Sequence, residues 1–114
     1  MSSYTITDEK SFSFPQDKVL AAIQAAAAGL EGKIIHQEGP EVHIKFNKTI
    51  HGQVLGDRSV IEVTMQDAGD GTSLAVEAYP IDPVGQKLKF GARKGVTQKV
   101  LSWFWAHIEH NLAK

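Results

Sequence analysis

The sequence predicts an α+β fold, a two-layer sandwich in which an antiparallel sheet of about five strands packs against two helices on one face. Two observations lead to this prediction. Hydrophobic residues alternate with a period of two in several short segments and recur at helical spacing in two others. These segments follow one another in the order β-α-β-β-β-β-α. No repeat, linker or low-complexity tract interrupts them, so residues 1–114 are predicted to form a single α+β domain.

The first strand and the first helix are predicted within residues 3–30. Hydrophobic side chains occupy one parity of residues 3–14, except near Asp8-Glu9-Lys10, where that parity becomes polar and a bulge is expected. Pro15 is predicted to begin the helix, because the backbone N–H groups of the first helical turn make no hydrogen bond within the helix and proline lacks only that group. Apolar residues then recur at helical spacing up to Leu30, after which glycine ends the helix.

The next two strands are predicted to flank a turn at Glu38–Glu41. In that hairpin Ile35 and Val42 would share the inward face. On the other face, His36 would lie directly opposite His43.

The remaining strands differ in the strength of their pattern. Thr49–Leu55 is a weak predicted strand, whereas Ser59–Gln66 and Thr72–Tyr79 are the clearest strands in the chain. Pairing Met65 with Leu74 creates an entirely apolar face between the last two. A shift of one residue would destroy that face, so this register is the predicted one.

A final helix is predicted over Val96–Leu112. Its apolar side chains cover about 200° of the circumference, which is wider than the stripe of an ordinary amphipathic helix. We therefore expect this helix to be deeply seated in the core. Trp103 and Trp105 stand at the two edges of the apolar arc, and His107 lies within it.

The junction between the first strand and the first helix carries a family resemblance. Its sequence Phe12-Ser-Phe-Pro-Gln-Asp-Lys-Val19, with the order of elements over the whole chain, resembles the START-like superfamily of polyketide cyclases and pollen allergens. Members commonly enter their first helix through an aromatic-x-x-Pro-x-acid-x-Val signal and seat a long C-terminal helix in a curved antiparallel sheet. The resemblance implies an apolar pocket between sheet and helix. The same order of elements also resembles the TATA-binding-protein-like sandwich, which would leave one sheet face open.

The main candidate site combines the final helix with the glycine-rich basic segment 85–95 before it. Cations and backbone N–H groups there could bind an anion at the start of the helix, although the spacing is not that of a phosphate-binding loop. Alternating lysine and apolar residues are also typical of an edge strand. We hypothesise a small non-enzymatic protein that binds an apolar or amphipathic anionic ligand between the sheet and this helix. The predicted ligand-binding residues are Lys87, Lys89, Phe90, Arg93, Lys94, Trp103, Phe104 and His107.

A second hypothesis is an interaction module. The same basic segment, with Phe90 and Trp105 exposed, could contact a protein partner or rest on an anionic membrane surface. The histidine in the final helix, His107, is equally typical of a core residue bonded to a backbone carbonyl.

A third hypothesis is a hydrolase- or metal-type enzyme. It needs Glu62 opposite Glu77, with His51 completing a row across three strands, because facing carboxylates repel unless a proton or cation lies between them. The position of His51 depends on pairing Val54 with Ser59. The solvent face of an ordinary sheet would carry the same residues.

The composition excludes several other classes of protein. Thirteen acidic and twelve basic residues give a net charge of -1, and the predicted open sheet face lacks stacking aromatics, so nucleic-acid binding is not expected. The absence of cysteine excludes thiolate catalysis and thiolate metal sites. No serine lies in an activating motif, and no catalytic residue, metal site or cofactor is predicted. Without a signal peptide or a long apolar run, the chain is expected to be cytoplasmic.

Overall fold

The computed structural model of the protein describes residues 4–88, 91 and 95–113. It is an α+β open sandwich with two helices on one side of an antiparallel sheet, as the sequence predicts. The elements in chain order are β1 (Ile6–Phe12), α1 (Gln16–Gly29), β2 (Lys33–Glu38), β3 (Glu41–Phe46), β4 (Thr49–Ile50), β5 (Gln53–Val54), β6 (Arg58–Asp67), β7 (Thr72–Ile81) and α2 (Val96–Leu112).

The main sheet has five strands in the spatial order β1-β7-β6-β3-β2, and all of its pairings are antiparallel. The register between β6 and β7 is the predicted one, since Met65 lies opposite Leu74. The resulting apolar face is covered by α1 and α2. Both helices contribute fully buried residues to one hydrophobic core, among them Ile23 of α1 and Phe104 of α2.

Strand β1 has no bulge at its polar residues, so that prediction is wrong. It pairs with β7 without interruption from Ile6 to Phe12. Asp8 and Lys10 keep the inward parity because α2 offers them a partner. The indole N–H of Trp105 donates to Asp8 Oδ2 at 3.0 Å, and the Lys10 ammonium lies 5.1 Å from the centroid of that ring.

The irregularity lies instead in β2. The pairing of β2 with β3 shifts between Ile34 and His36, and this leaves Ile35 half-exposed rather than on the inward face. Ile34 takes the inward position and packs against the core. The shift keeps the predicted cross-strand pair of His36 and His43.

Residues 49–55 form a separate hairpin, β4–β5, instead of a fourth strand of the main sheet. Its turn is His51-Gly52, and both residues have positive φ, as a two-residue hairpin turn of this kind requires. The buried side chain of Ile50 anchors the hairpin in the core. Consequently Ser59 pairs with Phe46 of β3, and the predicted pairing with Val54 is wrong.

Helix α2 has the predicted bounds, Val96–Leu112, and it is deeply seated. Val100, Leu101, Phe104 and Ile108 are each at most 1% exposed. None of the helices in the described part of the chain has the length and apolarity needed to cross a membrane.

Candidate functional site

A cleft of about 320 Å³ lies beside α2, where the end of α1 and the β4–β5 hairpin approach it. We call it the α2 cleft. Its walls are mostly apolar, with a few polar groups at one side, which is the usual composition of a small-molecule site. The residues that line it are Leu30, Ile50, His51, Gln53, Trp103, Ala106 and His107.

The hairpin wall is held against α1 by polar contacts of His51. Its backbone N–H donates to Glu31 Oε1, and its Nε2 lies 2.5 Å from the carbonyl oxygen of Gly29. The last carbonyls of a helix have no partner within the helix, so Gly29 offers a ready acceptor for this imidazole. The Nδ1 atom of the same ring lies 3.8 Å from the Glu31 carboxylate.

The helical wall depends on a close approach between α2 and α1. The His107 imidazole rests on Gly29, where a Cβ atom would lie 2.8 Å from two of its ring atoms. Glycine, which has no Cβ, therefore allows the imidazole to approach the backbone of α1 this closely. Half-buried Trp103 lies one turn earlier on the same side of α2, and exposed Ala106 between them leaves the space open.

Lys99 places a positive charge next to this wall. Its ammonium lies 6.0 Å from the ring centroid of Trp103, one turn earlier on α2. That distance is at the limit of a cation–π interaction, so the contact with Trp103 is weak and the ammonium can also interact with an anionic group.

The structure brings two of the predicted ligand-binding residues together, Trp103 and His107. Phe104 lies elsewhere: it is fully buried and its ring packs edge-on against Phe46, 6.2 Å away between centroids. Lys87 is exposed on the other side of the sheet, where its ammonium lies 4.4 Å from the ring centroid of Tyr79. The other predicted residues lie outside the described part of the chain, namely Lys89, Phe90, Arg93 and Lys94.

A second cleft, of about 370 Å³, lies between α1 and the end of α2. Of the predicted ligand-binding residues that the structure describes, none lines this cleft. Its walls are more evenly divided between polar and apolar surface than those of the α2 cleft. The residues that line it are Phe14, Lys18, Ala21, Ala22, Ala25, Asn111 and Leu112.

The outer face of the sheet carries a row of ionisable side chains, but His51 is not part of it. Glu62 lies opposite Glu77 as predicted, whereas the histidine opposite Glu62 is His43. The prediction for His51 is wrong because residues 49–55 leave the sheet as a hairpin. Among the described residues, no group of three or more His, Asp or Glu side chains could hold a metal ion.

Tyr79 is tied into this outer face. Its hydroxyl donates a short hydrogen bond of 2.5 Å to Glu62 Oε2. Burial raises the pKa of the Tyr79 hydroxyl well above its ordinary value, and the hydrogen bond to Glu62 and the charges of Glu62 and Glu77 raise that pKa further. Tyr79 therefore stays protonated and holds one oxygen of the Glu62 carboxylate in place.

No protein-family model matches the sequence, and no curated protein matches it. The fold, however, is similar to several solved structures. Protein MLL2253 from Mesorhizobium loti is similar with a TM-score of 0.62 and 18% identity, over 96% of both chains. Ara h 8.0201 is similar with a TM-score of 0.58 and 11% identity, over 99% of this chain and 100% of its own. CalU16 from Micromonospora echinospora is similar with a TM-score of 0.53 and 14% identity, over 94% of this chain and 83% of its own.

These similarities confirm the START-like resemblance at the level of the fold. Ara h 8 and CalU16 are START-like and polyketide cyclase-like proteins, and the chain matches most of their length. Identities of 11–18% show a shared architecture and carry no activity with them.

Proposed function

We propose that the protein is a small, non-enzymatic binding protein that holds an amphipathic ligand with an anionic group in the α2 cleft. The observation that carries the proposal is the cleft itself. Trp103 and His107, two of the predicted ligand-binding residues, line one mostly apolar space with α1 and the β4–β5 hairpin. Its volume lies at the small end of the range of about 300–1,000 Å³ typical of small-molecule sites.

The ligand lies beside α2 and not between α2 and the sheet. The side of α2 that packs on the sheet carries Phe104, which is fully buried. The apolar part of the ligand contacts Leu30, Ile50 and Trp103, where a flat or branched hydrocarbon body removes apolar surface from water.

The anionic group of the ligand is directed to His107 and Lys99. The imidazole of His107 lines the cleft and can donate a ring N–H, and Lys99 adds a full charge beside Trp103. Gln53 can donate a further hydrogen bond from its amide. A contribution from Lys89, Phe90, Arg93 and Lys94, just before α2, remains a prediction, whereas Lys87 is assigned to the outer face.

The test is a fluorescence titration with anilinonaphthalene sulfonate, which combines an apolar ring system with one negative charge. We expect one dye molecule to bind per chain. Ala106→Trp fills the cleft from an exposed position, so it should weaken dye binding about tenfold or more while the unfolding temperature stays unchanged. Ala21→Trp is the matched control, because Ala21 is also an exposed helical alanine but lines the second cleft.

Each part of the proposal can fail separately. Dye binding that survives Ala106→Trp and is lost in Ala21→Trp would move the ligand to the second cleft. An uncharged dye, phenylnaphthylamine, tests the anionic component. If it binds as tightly as the sulfonate, and if Lys99→Ala changes neither affinity, the cleft accepts apolar ligands without recognising an anion.

A further inference from the structure

Strand β2 forms one edge of the main sheet and carries opposite charges at its two ends. It is the last strand in the order β1-β7-β6-β3-β2, with β3 as its neighbour. Lys33 is its first residue and Glu38 its last, and both are exposed. The outer side of an edge strand presents backbone N–H and C=O groups that can pair with a further strand.

Within one chain, both of these charges lie opposite a residue of like charge. Lys33 is paired with Lys45 of β3, and Glu38 is paired with Glu41. Like charges directly opposite each other destabilise an antiparallel pair of strands. Within the described part of the chain, neither Lys33 nor Glu38 forms an ion pair. An opposite charge from another molecule would therefore stabilise each end of β2.

The bulge at Ile35 brings the two charges to the same face of the sheet. In a regular strand, residues five positions apart point to opposite faces. The register shift after Ile34 inserts one residue, so Lys33 and Glu38 both point to the same face as their partners on β3. Those partners alternate with buried residues along β3, which places both charges on the outer face.

We propose that two copies of the chain associate through β2, with the two strands antiparallel and a two-fold axis perpendicular to the sheet at the bulge. Lys33 of each copy then lies opposite Glu38 of the other copy on the same face, which gives two Lys–Glu pairs. A parallel arrangement would place lysine opposite lysine, and any other antiparallel register would remove both pairs. The charges therefore select one register. A two-fold contact closes on itself, so association stops at the dimer.

The axis of this dimer lies next to Ile35, a half-exposed apolar residue. Its side chain is 50% exposed in the single chain, and the bulge leaves it without a partner on β3. In the dimer the two copies of Ile35 lie near the axis and cover apolar surface of each other. A contact between two six-residue strands is smaller than the about 1,200 Å² at which stable interfaces begin. The dimer is therefore weak and reversible.

The test is sedimentation velocity of the full-length chain at low ionic strength over a range of protein concentrations. We expect a monomer–dimer equilibrium whose dissociation constant rises when salt is added. Lys33→Glu and Glu38→Lys should each weaken the dimer at least about tenfold, because each creates two like-charge pairs across the axis. The double variant Lys33→Glu/Glu38→Lys restores opposite charges, so its dissociation constant should return to within about threefold of the wild-type value.

The variants keep the single chain folded and have a matched control. Lys33→Glu removes the like-charge contact with Lys45, so the unfolding temperature of the monomer should stay the same or rise. Glu9→Lys makes the same charge reversal as Glu38→Lys at an exposed position of β1, the other edge strand. It should leave the dimer unchanged.

The β2 dimer is overturned if the wild-type chain stays monomeric even at its highest soluble concentration. It is also overturned if both single reversals abolish association and the double variant does not restore it. Association that Glu9→Lys abolishes would place the contact at β1, and growth beyond the dimer would indicate β2 of one copy against β1 of the next. In a ¹H–¹⁵N spectrum, the amide signals of residues 33–38 should shift with protein concentration while those of β1 stay in place.

Discussion

The contact between Gly29 and His107 decides how closely the two helices approach at the α2 cleft. Alanine normally stabilises a helix by up to about 1 kcal/mol relative to glycine. At Gly29 its Cβ would lie 2.8 Å from the His107 ring, so the imidazole must move out of its position. We therefore expect Gly29→Ala to leave stability unchanged or lower it, and to weaken dye binding.

In a chain that also carries His107→Ala, we expect Gly29→Ala to stabilise the protein instead. Without the imidazole, Gly29→Ala should raise the free energy of unfolding by about 0.5 kcal/mol, because only the helical propensity remains. Urea denaturation of the wild-type chain, the two single variants and the double variant measures the coupling between positions 29 and 107. Equal effects of Gly29→Ala in both backgrounds would show that the imidazole does not rest on Gly29.

Tyr79 makes stability depend on alkaline pH. Its pKa in the folded chain is raised above the ordinary value of 10.0, so the folded state keeps a proton that the unfolded chain releases above that pH. The stabilisation from Tyr79 is thus complete below about pH 10 and declines as the pH rises further. We expect the stability advantage of the wild-type chain over Tyr79→Phe to shrink above pH 10, by less than about 1.4 kcal/mol per pH unit.

Urea denaturation between about pH 8 and pH 11 measures that difference. Tyr4→Phe is the control, because Tyr4 is an exposed tyrosine. A constant difference between the wild-type chain and Tyr79→Phe across the whole pH range would contradict a half-buried hydroxyl that is hydrogen-bonded to Glu62.

The β4–β5 hairpin is the element that completes the α2 cleft. The backbone N–H of His51 donates to the Glu31 side chain, which ties the hairpin to the end of α1. Glu31→Ala removes the acceptor, whereas Glu31→Gln keeps an oxygen in its place. We expect dye affinity to fall about threefold or more in Glu31→Ala and to stay near wild type in Glu31→Gln.

The two variants form a matched pair, because position 31 keeps its positive φ in both and the backbone strain cancels. Global stability should differ between them by no more than about 1 kcal/mol, the value of one exposed hydrogen bond. Equal dye affinities would show that the hairpin wall does not depend on this contact.

At the level of elements, the strong patterns in the sequence predict the fold and the weak ones do not. The bounds of α2 and the β6–β7 register follow from unambiguous apolar periodicity. The turn at His51-Gly52 is only two residues long, so the sequence pattern of residues 49–55 predicts one strand and not a hairpin. The bulge at Ile35 follows from pairing with β3, and no local pattern in β2 indicates it.

The candidate site as a whole could be predicted only in part. Trp103 and His107 stand out because they break the ordinary pattern of an amphipathic helix. Leu30, Gln53 and Ala106 do not stand out, since each is unremarkable in its own segment and becomes part of a cleft through tertiary packing. The basic segment 85–95 has an unusual composition, yet its Lys87 contacts Tyr79 on the opposite face of the sheet.

For the whole molecule, we expect ligand binding to affect one side of α2 and to leave the other side unchanged. The two tryptophans report on these sides separately. Trp103 lines the α2 cleft, whereas the indole N–H of buried Trp105 donates to Asp8 in β1. Each gives one indole signal in a ¹H–¹⁵N spectrum, which Trp103→Phe assigns.

The most direct test of the central claim is to follow these two signals while anilinonaphthalene sulfonate is added. We predict that the Trp103 indole signal moves progressively and saturates at one dye per chain, while the Trp105 signal stays in place. Dye binding that leaves the Trp103 signal unmoved, or that moves only the Trp105 signal, would contradict a ligand site in the α2 cleft.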